Sequence, residues 1–113
     1  MNKQEIFSKI VTHLLRQNAK SMDEEEHCMY RGSNGTMCAV GCLIPDELYN
    51  EGMEGQLVGG LLAENLKLQS LLNLDAVGEN LLIRCQAVHD NYAPKDWKKL
   101  LKEIAEEFDL QMP

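Results

Sequence analysis

Apolar residues recur at helical spacing in three long stretches of this chain, and this periodicity constrains the fold more than any other feature. Residues 3–18, 76–92 and 94–108 each carry an apolar stripe interrupted by charged side chains. Asp75 precedes the second stretch as a natural N-cap, and Pro94 opens the third, where its missing N–H is tolerated. Because each stripe must be buried against another element, we predict a mainly α-helical fold.

A fourth stretch, residues 57–73, is leucine-rich and also predicts a helix, although Gly59 and Gly60 weaken its start. It carries more leucine than one side of a short helix can bury, so a homodimer through some of these side chains is one expectation. The leucines concerned are Leu61, Leu62, Leu66, Leu68, Leu71 and Leu72.

The segment between the first and fourth stretches has a different character, rich in cysteine and glycine over residues 28–55. Asn34 and Gly35 supply the positive φ angles of a tight turn, so we predict a small β-hairpin near residues 28–39. Residues 40–44 form a buried apolar strip, and Pro45 opens a short helix that ends near Gly55. The predicted class is mainly α, with four to five helices and α+β at the margin.

Length and charge exclude several classes of protein. The chain has 113 residues, which fits a single domain over residues 1–113. Its formal net charge of −7 argues against sequence-independent nucleic-acid binding, which needs clustered cations. No apolar run approaches the roughly 18 residues of a membrane span, and residues 1–5 lack a signal-peptide core. We therefore expect a cytoplasmic protein without membrane contact, whose four cysteines are thiols or metal ligands.

The central segment carries Cys-Met-Tyr-Arg-Gly at residues 28–32, Cys-Ala-Val-Gly-Cys-Leu-Ile-Pro-Asp-Glu at residues 38–47, and Met-Glu-Gly at residues 53–55. With these motifs it resembles a family of small uncharacterised proteins from bacteria and their phages. Cys-Gln-Ala-Val-His-Asp at residues 85–90 extends the likeness into the C-terminal half. The resemblance implies a cytoplasmic bacterial or phage setting and a single domain, and it transfers no catalytic residue.

Three cysteines within fifteen residues are the strongest candidates for chemistry. Cys28, Cys38 and Cys42 offer three ligands for a tetrahedral zinc ion, with His89, or else His27 or Cys85, as a fourth. Their spacing is not that of common zinc knuckles, and thiols also pack well as small apolar groups. A cysteine enzyme using His89 and Asp90 is a further alternative, weakened because adjacent helical residues cannot both point inward.

Polar residues of the same segment suggest two binding alternatives. Residues 32–35, from Gly32 to Gly35, could form a backbone nest for an anion or nucleotide with Arg31 beside it, although a hairpin turn explains the same glycines. Tyr30 and Arg31 are also residue types that anchor protein interfaces. The nearby acidic residues, which favour a solvated face or a ligand contact, are Asp46, Glu47 and Glu54.

The sequence thus leaves three functional hypotheses open. The leading one is a non-enzymatic accessory protein that binds a protein partner through residues 28–55 and needs no cofactor. The second is a zinc-binding protein or cysteine-dependent enzyme that uses Cys28, Cys38 and Cys42. The third is an anion or nucleotide binder at Arg31 and the turn at residues 32–35.

Overall fold

The computed structural model describes all 113 residues and contains five α-helices and no β-strand. Between α1 and α2 the chain forms three single-turn 3₁₀ helices, at Ser33–Gly35, Gly41–Leu43 and Glu51–Met53. The prediction of a mainly helical protein with four to five helices is confirmed. The helices are α1 Lys3–Gln17, α2 Val58–Glu64, α3 Leu66–Leu72, α4 Ala76–Asn91 and α5 Pro94–Glu107.

The ends of the long helices follow from local side chains. Asn2 and Glu5 form a reciprocal capping box at the start of α1, and Asn18, at φ 49°, ends that helix in the left-handed conformation. The Asp75 carboxylate accepts the backbone N–H of Gly78 over 2.7 Å and so caps α4 as predicted. Pro94 occupies the first turn of α5, also as predicted.

Helices α1, α4 and α5 pack against one another, and α2 lies against α3 and α4. Their apolar stripes meet in a core of 26 buried apolar residues that includes the fully buried Phe7 and Trp97. The indole Nε1 of Trp97 donates to the carbonyl oxygen of Tyr92 over 2.9 Å, so its polar atom is satisfied. None of the helices combines the length and apolarity that a membrane crossing requires.

The central segment belongs to this core. Residues 40–44 are buried, which confirms the predicted apolar strip, and the 3₁₀ turn Gly41–Leu43 packs on α1. Pro45 starts only a single turn, closed by a 2.9 Å hydrogen bond from the Leu48 N–H to the Pro45 carbonyl. The predicted short helix is therefore limited to this turn and the separate 3₁₀ turn Glu51–Met53.

The predicted β-hairpin near residues 28–39 is wrong. Asn34 and Gly35 do adopt positive φ angles, 60° and 72°, so the turn forms where its residues indicate. The flanking chain makes only one isolated antiparallel bridge, between Arg31 and Met37. No ladder extends from it, because the Tyr30 N–H donates to the Glu54 carboxylate and the Cys38 carbonyl accepts the Cys42 N–H instead.

The leucine-rich stretch forms two helices and not one. The chain leaves helical geometry at Asn65 (φ −124°, ψ 79°), whose side-chain amide donates to the Leu61 carbonyl over 2.7 Å. Of the six leucines proposed for a homodimer, four are buried, and Leu66 and Leu71 stay exposed. A homodimer through these two residues stays a prediction, which light scattering of concentrated protein tests.

Candidate functional site: a cleft beside helix α4

A cleft of about 680 Å³ lies between α4 and residues 54–60, and we call it the α4 cleft. Residues 28–30 also line it. Gly55 and Gly60 border open space, since no atom lies within 4 Å of where their side chains would begin. Its apolar lining comes mainly from Met29, Leu57, Val58, Ile83 and Ala87, and its polar lining includes Cys28, Gln56, Gln86 and Asp90.

Glu54 holds the wall of the cleft in place. Its two carboxylate oxygens accept the backbone N–H groups of Tyr30 and Arg31, over 2.8 and 3.1 Å, and the hydroxyl of Tyr49 over 2.7 Å. The Tyr30 hydroxyl in turn donates to the Gln56 carbonyl. Tyr30 is buried, so little of its side chain is open to a partner. Glu54 and Tyr30 therefore shape the cleft and offer little to a ligand.

Arg31 performs a second bracing role. Its guanidinium donates to the Ile44 carbonyl over 2.6 Å and to the Asp46 carboxylate over 2.8 Å, and it lies 5.0 Å from the centre of the Tyr49 ring. These contacts fix the turn at Pro45 onto residues 30–31. The cation expected beside the turn at residues 32–35 is thus engaged elsewhere. Of the predicted acidic contacts, Asp46 and Glu47 are exposed to solvent.

At one end of the cleft Cys28, His89 and Asp90 meet. One potential ligand atom from each lies within 4.8 Å of the others. The fully buried His89 ring accepts the Ser21 backbone N–H at Nε2 over 2.9 Å, and its Nδ1 lies 2.7 Å from Asp90 Oδ1. The side-chain amide of Gln86 donates to the same oxygen over 2.9 Å. The two side chains meet although they are adjacent on α4, and only His89 points inward, since the Asp90 side chain is 35% exposed.

The tautomer of His89 follows from these contacts. A backbone N–H only donates, so Nε2 must be the acceptor and Nδ1 must carry the proton that it donates to Asp90. Neither ring nitrogen is then free to bind a metal ion or to accept a proton from Cys28. Burial, and after it the Asp90 charge, raises the pKa of the Cys28 thiol. The cluster therefore holds a protonated thiol beside a histidine whose two nitrogens are both engaged.

The other three thiols are packed in the core. Cys38 accepts the Gly41 N–H at 3.3 Å, Cys42 donates to the Ala39 carbonyl at 3.1 Å, and Cys85 is fully buried on α4. Burial raises the pKa of each to about 12. Of the four proposed metal ligands, the structure brings Cys28 and His89 together and leaves Cys38 and Cys42 outside the group.

Sequence reasoning missed three residues of the cleft. Leu57 was assigned to a helical stripe, but α2 begins at Val58 and leaves the Leu57 side chain 86% exposed. Ile83 lies outside the buried stripe of α4. An isoleucine at such a position indicates a surface contact. The sequence indicates Asp90 only as part of a catalytic alternative, because its nearness to Cys28, 62 positions away, follows from the fold.

No protein-family model, curated protein or solved structure matches this chain. The resemblance to small bacterial and phage proteins therefore stays a prediction that rests on the motifs of residues 28–55 and 85–90.

Proposed function

We propose that this protein is a non-enzymatic interaction protein that binds a segment of a partner protein in the α4 cleft. The observation that carries the proposal is the pair of exposed apolar side chains beside the cleft, Leu57 at 86% and Ile83 at 45%. Exposed apolar groups next to a concave, partly apolar surface are typical of recognition sites. A partner side chain placed between them would remove apolar area from water on both sides.

The chemistry of the cleft favours binding over catalysis. A cysteine nucleophile needs a lowered thiol pKa and a nearby base, whereas the Cys28 pKa is raised and both His89 nitrogens are engaged. The remaining polar groups of residues 28–55 mostly brace the segment, as Glu54 and Arg31 do. These contacts keep the cleft wall rigid, which lowers the entropy lost when a partner binds.

The proposed binding surface includes only part of residues 28–55, the segment that the leading hypothesis from sequence assigns to a protein partner. Residues 28–30 and 54–55 line the cleft, whereas the exposed turn at Pro45 does not. The contact surface extends to Gly60 and to α4, beyond the segment that the sequence singled out. The resemblance to small bacterial and phage proteins supports an accessory role in the bacterial cytosol.

Panning of a displayed random-peptide library on the purified protein tests the proposal. We expect peptides that bind the parent protein and bind the Leu57→Ser variant at least tenfold more weakly. Leu66→Ser is the matched control, since Leu66 is also an exposed leucine at a helix start but lies outside the cleft. A library that yields no peptide, or only peptides that bind Leu57→Ser as well as the parent, overturns the proposal.

A further inference from the structure

We infer that the partner segment presents a lysine or arginine to Asp90 beside an apolar side chain that packs between Leu57 and Ile83. This inference rests on the proposed function and names the chemistry of its partner. It follows from the charges of the α4 cleft and from the Asp90 carboxylate, whose hydrogen bonds from within the protein all go to Oδ1.

The charged residues that line the cleft are all acidic. They are Glu54 and Asp90, and no lysine or arginine lines the cleft. Both Glu54 oxygens already accept hydrogen bonds from within the protein, from two backbone N–H groups and the Tyr49 hydroxyl. Asp90 is therefore the carboxylate that a ligand can reach, with its side chain 35% exposed.

The Asp90 charge lacks a cationic partner inside the protein. Its Oδ1 accepts from the Gln86 amide and from His89 Nδ1, and the proton on Nδ1 is that of a neutral ring, so these bonds orient the carboxylate without cancelling its charge. No nitrogen of the protein donates to Oδ2, and the adjacent Cys28 thiol is a weak donor. Lys20 donates to the Asp90 backbone carbonyl over 3.1 Å and forms no ion pair with the carboxylate.

The cleft beside Asp90 suits a long cationic side chain, because the lining also includes the apolar Met29 and Ala87. A lysine or arginine has several N–H donors and no acceptor, and its apolar stem can lie along Met29 and Ala87 while its head reaches Asp90. An anionic segment would place like charges together beside Glu54 and Asp90, which opposes binding.

The peptides selected for binding at Leu57 provide the test. We expect them to be enriched in lysine or arginine next to an apolar residue. The tightest is then synthesised with its lysine or arginine and again with norleucine at that position, which keeps an apolar stem and removes the charge. On the parent protein we expect the cationic peptide to bind about tenfold more tightly, with the difference reduced at high salt, where exposed charges are screened.

The Asp90→Asn variant completes the comparison. Its amide oxygen still accepts from Gln86 and His89, and the cationic and norleucine peptides should bind it equally. If Asp90→Asn fails to fold, the salt dependence of the two peptides on the parent protein gives the same answer. The inference is overturned if the peptides that depend on Leu57 are not enriched in lysine or arginine. It is also overturned if the cationic peptide binds the parent and Asp90→Asn equally well. Either result leaves the proposed function standing. A screen without any Leu57-dependent peptide overturns the proposed function itself.

Discussion

The backbone N–H of Ser21 donates to Nε2 of His89 over 2.9 Å and joins two residues that lie 68 positions apart. The bond fixes the tautomer of the ring and hence the orientation of Asp90 at the cleft. His89 also lies beside Trp97 of α5, with ring centroids 5.4 Å apart. The Ser21 hydroxyl donates to the Met29 carbonyl over 2.8 Å, so this histidine links α4 and α5 to the cleft wall.

Replacing His89 by alanine should therefore destabilise the protein by about 2–4 kcal/mol, since it leaves the Ser21 N–H without an acceptor and opens a cavity against Trp97. Urea unfolding followed by Trp97 fluorescence measures the change in the free energy of unfolding. His27→Ala is the control. His27 is exposed and pairs only with Asp23, so its loss should cost less than about 1 kcal/mol. Equal losses in the two variants would contradict the role assigned to His89.

Two glycines should respond to alanine in opposite directions. A Cβ atom at Gly41 would overlap the Tyr30 carbonyl oxygen, a backbone atom that cannot move aside without displacing the cleft wall. Gly60 lies within α2, and a Cβ there meets nothing within 4 Å. We expect Gly41→Ala to lower the free energy of unfolding by about 3 kcal/mol or more, and Gly60→Ala to raise it by about 0.5–1 kcal/mol. Thermal unfolding of both variants tests the contrast, and a tolerated Gly41→Ala would contradict it.

The helices were predictable because their signals are local. Apolar spacing, the Asp75 cap and Pro94 each act within one or two turns, and each is realised in the structure. The hairpin failed for the opposite reason. The turn at Asn34 and Gly35 is local, but the Tyr30 N–H needed for the next ladder bond donates to Glu54, 24 residues further along the chain. No short-range pattern in the sequence predicts that a distant carboxylate will accept a backbone N–H of the hairpin.

The candidate site divides in the same way. The sequence indicates Cys28 and His89 as candidates, because thiols and imidazoles are common metal ligands and catalytic groups. It could not foresee that Ser21 would occupy His89 Nε2, since that contact spans most of the chain. The Leu57 side chain became a surface feature because α2 starts one residue later than the leucine pattern suggested. Small shifts at a helix start thus decide which apolar residues stay accessible.

Zinc should not stabilise this protein at Cys28, His89 and Asp90, although their ligand atoms lie close together. Binding through His89 Nδ1 would move its proton to Nε2, where it would face the Ser21 N–H, so two donors would meet in a buried site. We expect equimolar zinc to leave the melting temperature of the parent unchanged, and likewise that of Cys28→Ser. Stoichiometric zinc in the purified protein, lost on Cys28→Ser or Cys38→Ser, would contradict this prediction and revive the metal hypothesis.

Alkylation should modify Cys28 alone in the folded protein. Cys28 is the exposed thiol, whereas Cys38, Cys42 and Cys85 are buried and their pKa values are raised to about 12. Iodoacetamide reacts with the thiolate. The raised pKa of Cys28 therefore makes its reaction slower than that of free cysteine near neutral pH, and the rate should rise about tenfold per pH unit below that pKa. Intact-mass spectrometry counts the modified thiols, and all four should react in urea.

The Asp90→Asn variant separates the two causes of the raised Cys28 pKa. The substitution removes the carboxylate charge that disfavours the thiolate and leaves the burial of Cys28 in place. The pKa of Cys28 should fall, so alkylation at a fixed pH near neutral should be faster in Asp90→Asn than in the parent. Glu25→Gln, which removes an exposed carboxylate outside the α4 cleft, should leave the rate unchanged. A slower reaction in Asp90→Asn would mean that the carboxylate assists the thiolate, which would return Cys28 to consideration as a nucleophile.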